Sequence, residues 1–347
     1  MEHEAQARFL AVAQRSIRGR QAITDAGKQG VCLADGSEHR ICRHGRKHGK
    51  PGCQRRTDAT NETCTPSAPH HLPTFPIHGK GPSAVSMLTK LLFRRPKNAA
   101  PVGRAPEGRR LYAIGDIHGR LDLLEGLLSQ IVRDDAERGG PVGELIFLGD
   151  LIDRGPDSAQ VIDRLMALQA ERPNVRFLLG NHEEVFLHAL SGDAKALRLF
   201  NRIGGAETIL SYGVSPQAYA DADYEQLHRL LVEAVPASHR EFLESFEDMI
   251  VAGDYVFVHA GIRPGIALAD QRPADLRWIR DQFLNARMAP EKRVVHGHTI
   301  SEEVVELPHR IGLDTGAYRT GILTAMAFED EKRWVLQEHG SRVAVAA

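Results

Sequence analysis

Three short segments of this 347-residue chain carry residue types that could bind metal ions and a phosphate. They are residues 115–119, 149–155 and 180–183, which read GDIHG, GDLIDRG and GNHE. Each follows an apolar run, so each lies at the end of a candidate strand. Carboxylate, imidazole and amide groups are ligands for hard and borderline divalent cations, and an arginine beside them suits a phosphate. The pattern predicts a site where divalent cations and a phosphate group meet.

Two later strand ends supply further ligand types. The run at residues 255–258 leads to His259, and the run at residues 294–295 leads to His298. A dinuclear site needs about five or six side-chain ligands and a carboxylate that bridges the cations. Any one of these residues alone is an ordinary turn former or surface group, but five strand ends that each deliver a ligand type beside glycine favour a site. The candidate ligands are Asp116, His118, Asp150, Asn181, His259 and His298.

The elements that position these residues alternate between strand and helix patterns. Short apolar runs at residues 111–114, 145–148 and 175–179 are each followed by apolar residues at helical spacing. This alternation predicts βαβ units in a largely parallel sheet, with the ligand beyond the carboxyl ends of the strands. An irregular helical insert is expected at about residues 195–249, over the site as a cap or on one flank. Two late runs, residues 321–328 and 334–337, predict a closing hairpin.

The charge distribution divides the chain into a tail and a body. Residues 1–110 hold 20 Lys/Arg against 8 Asp/Glu, and the remainder holds 24 against 37, which gives net charges of +12 and −13. Low apolar periodicity over residues 27–108 predicts disorder. We therefore expect a disordered basic tail at residues 1–108, a catalytic domain at 109–340 and a loose end at 341–347. A start at Met87 and a fully translated tail fit the sequence equally well.

All four cysteines lie in the tail, about ten residues apart, a spacing that favours unpaired thiols over a Cys/His metal module; they are Cys32, Cys42, Cys53 and Cys64. A body without cysteine predicts a reducing, cytoplasmic location. No apolar run predicts a membrane span, and no secretory signal is recognisable. The basic cluster at residues 40–50 lacks interleaved aromatic residues, so nucleic acid is not an expected partner.

Taken in order, GDIHG, GDLIDRG, GNHE, VHAG and HGHT closely resemble the motifs of the phosphoprotein phosphatase branch of the calcineurin-like metallophosphoesterases, in particular its bacterial and phage-type serine/threonine-specific members. The resemblance covers about residues 110–340. It implies an α/β fold, a sandwich of two β-sheets flanked by helices. It also implies two divalent metal ions, with manganese expected and iron or zinc suited to the same ligands. Asp116, His118 and bridging Asp150 would hold the first ion, and Asp150, Asn181, His259 and His298 the second.

The same resemblance implies the catalytic residues. Arg154 and Arg280 match the two arginines that grip the substrate phosphate, and a guanidinium fork suits phosphate oxygens. Arg277 is the nearest rival of Arg280, and a salt bridge of Arg280 on its own helix is the structural alternative. A hydroxide that bridges the metals would attack phosphorus directly, while His182, oriented by Asp153, would protonate the leaving group.

Phosphoserine and phosphothreonine in proteins are the expected substrates, and phosphotyrosine is also open. A sister branch that hydrolyses dinucleoside polyphosphates such as diadenosine tetraphosphate has the same metal site, but typically carries Ala where this chain has Asp153 and Asp where it has Glu183. Both differences favour a phosphoprotein substrate, whereas residues 313–317 (LDTGA) resemble the late motif of the sister branch. A catalytically silent adaptor is disfavoured because every ligand position is filled.

Overall fold

The computed structural model describes residues 103–287 and 290–341. The expectations about the tail up to residue 102, its cysteines, its basic cluster and a start at Met87 therefore lie outside the described residues, as does the end from residue 342. None of the helices in the described ranges is long and apolar enough to cross a membrane.

The first sheet has five strands in the order β10-β9-β1-β2-β3. Parallel pairing joins β1 to β2 and β2 to β3, while β9 runs antiparallel to both β1 and β10. The β9–β10 pair is the hairpin that the sequence predicts. The strands are β1 (Arg110–Ile114), β2 (Glu144–Phe147), β3 (Val175–Phe177), β9 (Ile322–Glu329) and β10 (Lys332–His339).

The second sheet also has five strands, in the order β4-β5-β6-β8-β7. Its strands are β4 (Met249–Ala252), β5 (Tyr255–Val258), β6 (Arg293–His296), β7 (Val305–Glu306) and β8 (Arg310–Gly312). The central three strands, β5, β6 and β8, are parallel, and β4 and β7 pair antiparallel at the edges. Both sheets are thus mixed, and the predicted parallel pairing is found along one side of the first sheet and at the centre of the second.

A buried apolar core lies between the two sheets. Leu111 and Ile146 of the first sheet pack with Phe257 and Val295 of the second, and all four side chains are fully buried. Helices cover the outer faces. On the first sheet they are α1 (Leu121–Arg138), α2 (Ser158–Glu171) and α3 (Asn181–Leu190), and on the second α9 (Pro273–Trp278) and α10 (Asp281–Leu284). This arrangement confirms the predicted sandwich of two sheets flanked by helices.

A helical insert of five helices separates the two halves of the chain. It comprises α4 (Ala194–Ile203), α5 (Gly205–Ser211), α6 (Pro216–Asp221), α7 (Tyr224–Ala234) and α8 (Ala237–Glu244). Its apolar side chains, among them Phe200 and Leu231, join the same core as Phe186 of α3. The insert therefore packs on the flank of α3, and its α4–α5 junction touches the loop after β2. A last short helix, α11 (Ala317–Thr320), precedes β9.

The packed body extends to the start of the described residues. The Tyr255 hydroxyl donates to the carbonyl of Gly103 at 2.7 Å, and the backbone N–H of Asp254 donates to the carbonyl of Arg104 at 2.8 Å. The backbone N–H of Ala105 likewise donates to the backbone carbonyl of Asp330 at 2.8 Å. Residues 103–105 thus make hydrogen bonds to residues 254–255 and 330 of the body.

Candidate active site

The six predicted ligands all follow strand ends, but the structure does not bring them equally close together. His118 and Asp150 belong to one convergent group of ligand atoms and Asp150, His259 and His298 to another, whereas Asp116 belongs to neither. Asp116 and His118 follow β1, Asp150 follows β2, and Asn181 begins α3 directly after β3; His259 follows β5 and His298 follows β6. All six side chains are buried, with exposed fractions of 6% or less. Because β1, β2 and β3 belong to one sheet and β5 and β6 to the other, the site spans the seam between the two sheets.

Asp150 occupies the centre of this cluster. Its Oδ1 lies 3.3 Å from Nε2 of His259, and its Oδ2 lies 3.7 Å from Nε2 of His118. Two groups of potential metal ligands share this carboxylate, one with His118 and His182 and the other with His259 and His298. One oxygen thus faces each group, which is the geometry required of a bridging carboxylate.

The group around His259 brings electron-pair donors together. The Nδ1 of His259 donates to the carbonyl of Leu148 at 2.7 Å, so that in the neutral ring Nε2 carries a lone pair. That Nε2 faces Oδ1 of Asn181 at 3.0 Å and Nδ1 of His298 at 3.2 Å. The other ring nitrogen of His298, Nε2, is buried and has no hydrogen-bond partner among the described residues. Convergent lone pairs of this kind fit a divalent cation.

The group around His118 is prepared in the same way. Nδ1 of His118 donates to the carbonyl of Ile152 at 2.8 Å, which leaves Nε2 to face Asp150. Asp116 is held from the other sheet, because the backbone N–H of His298 donates to its Oδ2 at 3.0 Å. Gly297 permits this approach, since a Cβ at that position would overlap the Asp116 carboxylate.

Strained backbone is concentrated in the site. Six described residues other than glycine have positive φ, and five of them are predicted site residues. Such conformations cost of the order of 1–3 kcal/mol each and persist where the surrounding structure enforces them. The five are His118, Asp150, Asp153, Arg154 and His298, with φ between 47° and 72°.

The predicted proton donor and its partner form a buried pair. Nδ1 of His182 lies 2.6 Å from Oδ2 of Asp153, and Nε2 lies 2.9 Å from Nη2 of Arg154. Nε2 is also 3.9 Å from Oδ2 of Asp150, within reach of a cation held by His118 and Asp150. The geometry therefore allows His182 to act as an acid and also leaves room for a role as a ligand.

The protonation preferences of these groups differ. Burial, and then the neighbouring His259, lower the pKa of His298 to about 2, and burial also holds the pKa of His118 well below its ordinary value. Burial alone would lower the pKa of His182, but the carboxylates of Asp150 and Asp153 outweigh it and raise the pKa. His118 and His298 are thus neutral, as ligands must be, whereas His182 retains its proton more readily.

The three candidate arginines, Arg154, Arg277 and Arg280, differ in their contacts. The guanidinium of Arg154 lies between the rings of His118 and His182, at 3.0 Å and 2.9 Å from their Nε2 atoms. Arg277 is engaged in ion pairs with Glu184 at 2.7 Å and Asp248 at 2.6 Å.

Arg280 is exposed, and its guanidinium makes no hydrogen bond or ion pair with the described residues, so it does not form the alternative salt bridge with Asp281. Its charge contributes to the low pKa of His298, which indicates that it lies near the ligands. Of the two rival arginines, Arg280 is therefore the one whose guanidinium is available to a substrate.

Glu183 has a role that the sequence does not reveal. Its carboxylate is fully buried and accepts backbone N–H groups of Asp150 at 2.9 Å, Leu151 at 2.8 Å and Gly180 at 3.0 Å. It thereby shapes the loop that carries Asp150. Because the side chain is enclosed, Glu183 cannot contact a substrate, and its value as a mark of substrate class is indirect. In the sequence, only its place in the GNHE motif marks Glu183 as a residue of the site.

Two further residues of the site lie in the late LDTGA segment or directly after it, at positions 314 and 318. The ring of Tyr318 packs edge-on against His118 with centroids 5.2 Å apart, and the Arg154 guanidinium lies 4.8 Å from the centroid of the Tyr318 ring. Asp314 is buried, and burial raises its pKa to about 6. The motif drew attention to this segment, but only the structure shows that Tyr318 reaches the arginine.

The chain is similar to known proteins in sequence and in fold. A family model described as calcineurin-like phosphoesterase matches residues 109–334. The bis(5'-nucleosyl)-tetraphosphatase PrpE [asymmetrical] of Bacillus subtilis (strain 168) is 28% identical over 62% of this chain and 90% of its own length. Serine/threonine-protein phosphatase 1 of Salmonella typhimurium is 27% identical over 66% of this chain and 97% of its own. The fold is also similar to that of a solved metallophosphoesterase from Sphaerobacter thermophilus. The two are 19% identical with a TM-score of 0.40, and the match covers 67% of this chain and 89% of the other.

Proposed function

The chain belongs to the calcineurin-like phosphoesterase family and is a metallophosphatase, and from this we propose that it removes phosphate from phosphoserine and phosphothreonine in proteins, with two divalent metal ions at the site. The observation that carries the proposal is the shared position of Asp150 between two ligand groups, with Arg154 and His182 beside them. A dinuclear centre next to a guanidinium and an acid has the parts that phosphoester hydrolysis requires.

The ligand set fits two divalent cations. His118 and Asp116 would hold the first, Asn181, His259 and His298 the second, and Asp150 both. When bound, such ions lower the pKa of water toward about 7 and polarise phosphoryl oxygens. Mixed oxygen and nitrogen donors suit manganese, iron and zinc; we propose manganese.

The remaining site residues would handle the phosphate and the proton. Arg154 and Arg280 donate to phosphoryl oxygens and stabilise the charge that develops on them. His182 in its protonated form gives the hydrogen on Nε2 to the leaving oxygen and becomes neutral, while Asp153 accepts from Nδ1 and fixes the orientation of the ring. The raised pKa of His182 supports this role, because a general acid must be protonated when the reaction begins.

The substrate class rests on Asp153 of the second motif, where the sister branch typically has Ala, and on the similarity to the Salmonella phosphatase. Dinucleoside tetraphosphate is a second candidate, and one specific observation supports it. The Tyr318 ring lies beside Arg154, where it could stack on a nucleobase whose phosphates bind the arginine. The similarity to the Bacillus enzyme points the same way.

A single panel separates the two candidates. Purified protein is loaded with manganese, iron or zinc in turn, and kcat/KM is measured on phosphoserine, phosphothreonine and phosphotyrosine peptides and on diadenosine tetraphosphate. We expect the phosphoserine and phosphothreonine peptides to be preferred. A strong preference for the dinucleotide would establish the second candidate in place of the first.

The same preparation tests the role of His182. We expect His182→Ala to lower kcat by about 10²- to 10⁴-fold, the usual contribution of general acid catalysis, while the metal content stays near two ions per chain. Loss of one ion in this variant would make His182 a ligand instead of the acid.

A further inference from the structure

The helical insert reaches the catalytic pair from behind. Thr208 of α5 is fully buried, and its Oγ1 lies 2.6 Å from Oδ1 of Asp153. The other oxygen of the same carboxylate, Oδ2, lies 2.6 Å from Nδ1 of His182. The Asp153 carboxylate is therefore held between the insert on one side and the histidine on the other.

Counting protons fixes the direction of these hydrogen bonds. A carboxylate only accepts, and threonine has a single hydroxyl proton, so Thr208 donates to Asp153. The backbone N–H of Asp153 donates to the hydroxyl oxygens of Ser158 and Thr208, both at 3.0 Å. The Ser158 hydroxyl lies 2.9 Å from that of Thr208 and can donate to it. Every polar atom in this network has a partner, so the carboxylate is held in one orientation.

The neighbouring arginine is anchored to the same part of the insert. The backbone N–H of Arg154 donates to the carbonyl of Gly204 at 2.9 Å, and its Nε donates to the carbonyl of Ile203 at 3.3 Å. Asp153 and Arg154 both have positive φ. The α4–α5 junction thus supports two consecutive strained residues whose side chains point into the site.

We propose that Thr208 is a positioning residue of the phosphatase reaction. By fixing the Asp153 carboxylate, it aims the His182 ring at the leaving-group oxygen. This inference rests on the proposed function, because it requires His182 to be the proton donor. It also assigns the insert a part in catalysis, since the hydroxyl that orients the pair comes from α5 and not from the two sheets.

The test uses the dependence of rate on the leaving group. The phenol that leaves phenyl phosphate needs a proton on its oxygen. The 2,4-dinitrophenolate that leaves 2,4-dinitrophenyl phosphate is a much weaker base and leaves without one. In the metal-loaded full-length protein we expect Thr208→Val, which keeps the shape and removes the hydroxyl, to lower kcat on phenyl phosphate about 10- to 100-fold and on the dinitrophenyl ester less than about 3-fold. KM should be unchanged for both, and Thr208→Ser should restore activity.

Ser211→Ala is the matched control, because it removes a hydroxyl of the same helix that donates to the carbonyl of Thr208 and accepts from the backbone N–H of Ala159 but does not contact Asp153. We expect any loss in this variant to be equal for the two esters. Thr208→Val in a His182→Ala background should cause no further loss on phenyl phosphate, since the hydroxyl acts through the ring. Should the valine variant fail to fold, Thr208→Cys provides the same comparison with a weakly donating thiol.

The outcomes separate this inference from the function on which it rests. If His182→Ala slows both esters equally, the assignment of His182 as the acid is wrong. A second outcome is that His182→Ala selectively slows the hydrolysis of phenyl phosphate, whereas Thr208→Val slows the hydrolysis of both esters equally or of neither. In that case the role proposed for Thr208 is wrong and the proposed function stands.

Discussion

At the scale of single residues, the site depends on which atom of each side chain is already engaged. His118 and His259 each give their Nδ1 hydrogen to a backbone carbonyl, of Ile152 and Leu148, and therefore both turn Nε2 toward Asp150. These hydrogen bonds select one tautomer and one ring orientation before any ion binds. The conformational entropy of these ligand side chains is thus lost when the protein folds and not when the metal binds.

The Asp153–His182 pair makes a prediction about pH. The carboxylates of Asp150 and Asp153 raise the pKa of His182 against the effect of burial. Asp153→Asn removes one of these charges, so the pKa of His182 should fall and the acid should lose its proton at lower pH. In a profile of kcat against pH on a phosphopeptide, the alkaline limb should move to lower pH. A limb that stays in place would show that His182 does not set it.

Glu183 makes a prediction about metal affinity and substrate preference. Glu183→Asp shortens the side chain and leaves buried N–H groups of the Asp150 loop without an acceptor, which costs about 1–3 kcal/mol of the free energy of unfolding per group. We expect weaker metal binding and a lower unfolding midpoint in urea, with an unchanged ratio of kcat/KM between phosphopeptide and dinucleotide. Glu184→Gln, on the same helix but engaged with Arg277, is the control and should retain both ions. A changed substrate ratio would contradict the enclosed position of Glu183.

At this scale the sequence predicts residue types well and their contacts poorly. The motifs identify His118, Asp150 and His298 because a metal-ligand residue type beside glycine, directly after an apolar run, can be recognised from the sequence alone. They do not show that Glu183 is enclosed or that Tyr318 lies against Arg154, because both facts depend on packing between segments far apart in the chain.

At the scale of elements, the junction between α4 and α5 links the insert to the site. Gly204 has a φ of 114°, and a Cβ there would lie 2.6 Å from Cγ of Arg154. Gly204→Ala should therefore both strain the backbone and displace the arginine. We expect kcat/KM to fall about 10- to 100-fold, since small misplacements of a catalytic group are costly.

Gly213 offers a matched control for this substitution. It lies in the same insert, has a φ of 90°, and has no atom within 4 Å of an added Cβ. Gly213→Ala should add the same kind of backbone strain, about 1–2 kcal/mol in urea unfolding, without a steric overlap, and should keep its activity. Equal losses of activity in the two variants would indicate a general effect of a looser insert.

The elements that the sequence predicts are those with a strong local pattern. Strands β1, β2 and β5 are apolar runs of four or five residues that end at a glycine or histidine motif, and each is found. The short edge strand β7 and its neighbour β8 are not predicted, because two or three residues cannot show an alternation. The mixed direction of the sheets likewise follows from long-range pairing, such as β1 with β9, that no local pattern encodes.

At the scale of the whole molecule, the proposed metal centre joins the two sheets. Asp116 and Asp150 come from the first sheet, whereas His259 and His298 come from the second. Burial and the neighbouring carboxylates of Asp314 and Asp150 raise the pKa of Asp116. Cations placed between these groups would relieve that repulsion and link the sheets, so metal binding should stabilise the entire body and not only the loops.

Thermal unfolding measures this coupling. Manganese at 100 times its Kd should add about 2.7 kcal/mol per site, which for a body of this size corresponds to a rise in Tm of roughly 5–10 °C per site. His259→Gln should lose much of this rise because it removes a proposed ligand of the second ion. His239→Gln, which removes a buried histidine of the insert that pairs with Asp163, should keep the full rise even if its own Tm is lower.

The pH dependence of that rise has a definite sign. Burial alone would lower the pKa of His259, but the Asp150 carboxylate raises it, and the pKa of Asp116 is raised as well. Both groups must lose their protons to bind a cation, so protons compete with the metal as pH falls. The metal-induced rise in Tm should therefore shrink as pH is lowered from 8 toward 6. A rise that is constant over this range would show that these two groups do not bind the ions, and a rise that persists in His259→Gln would place the second ion elsewhere.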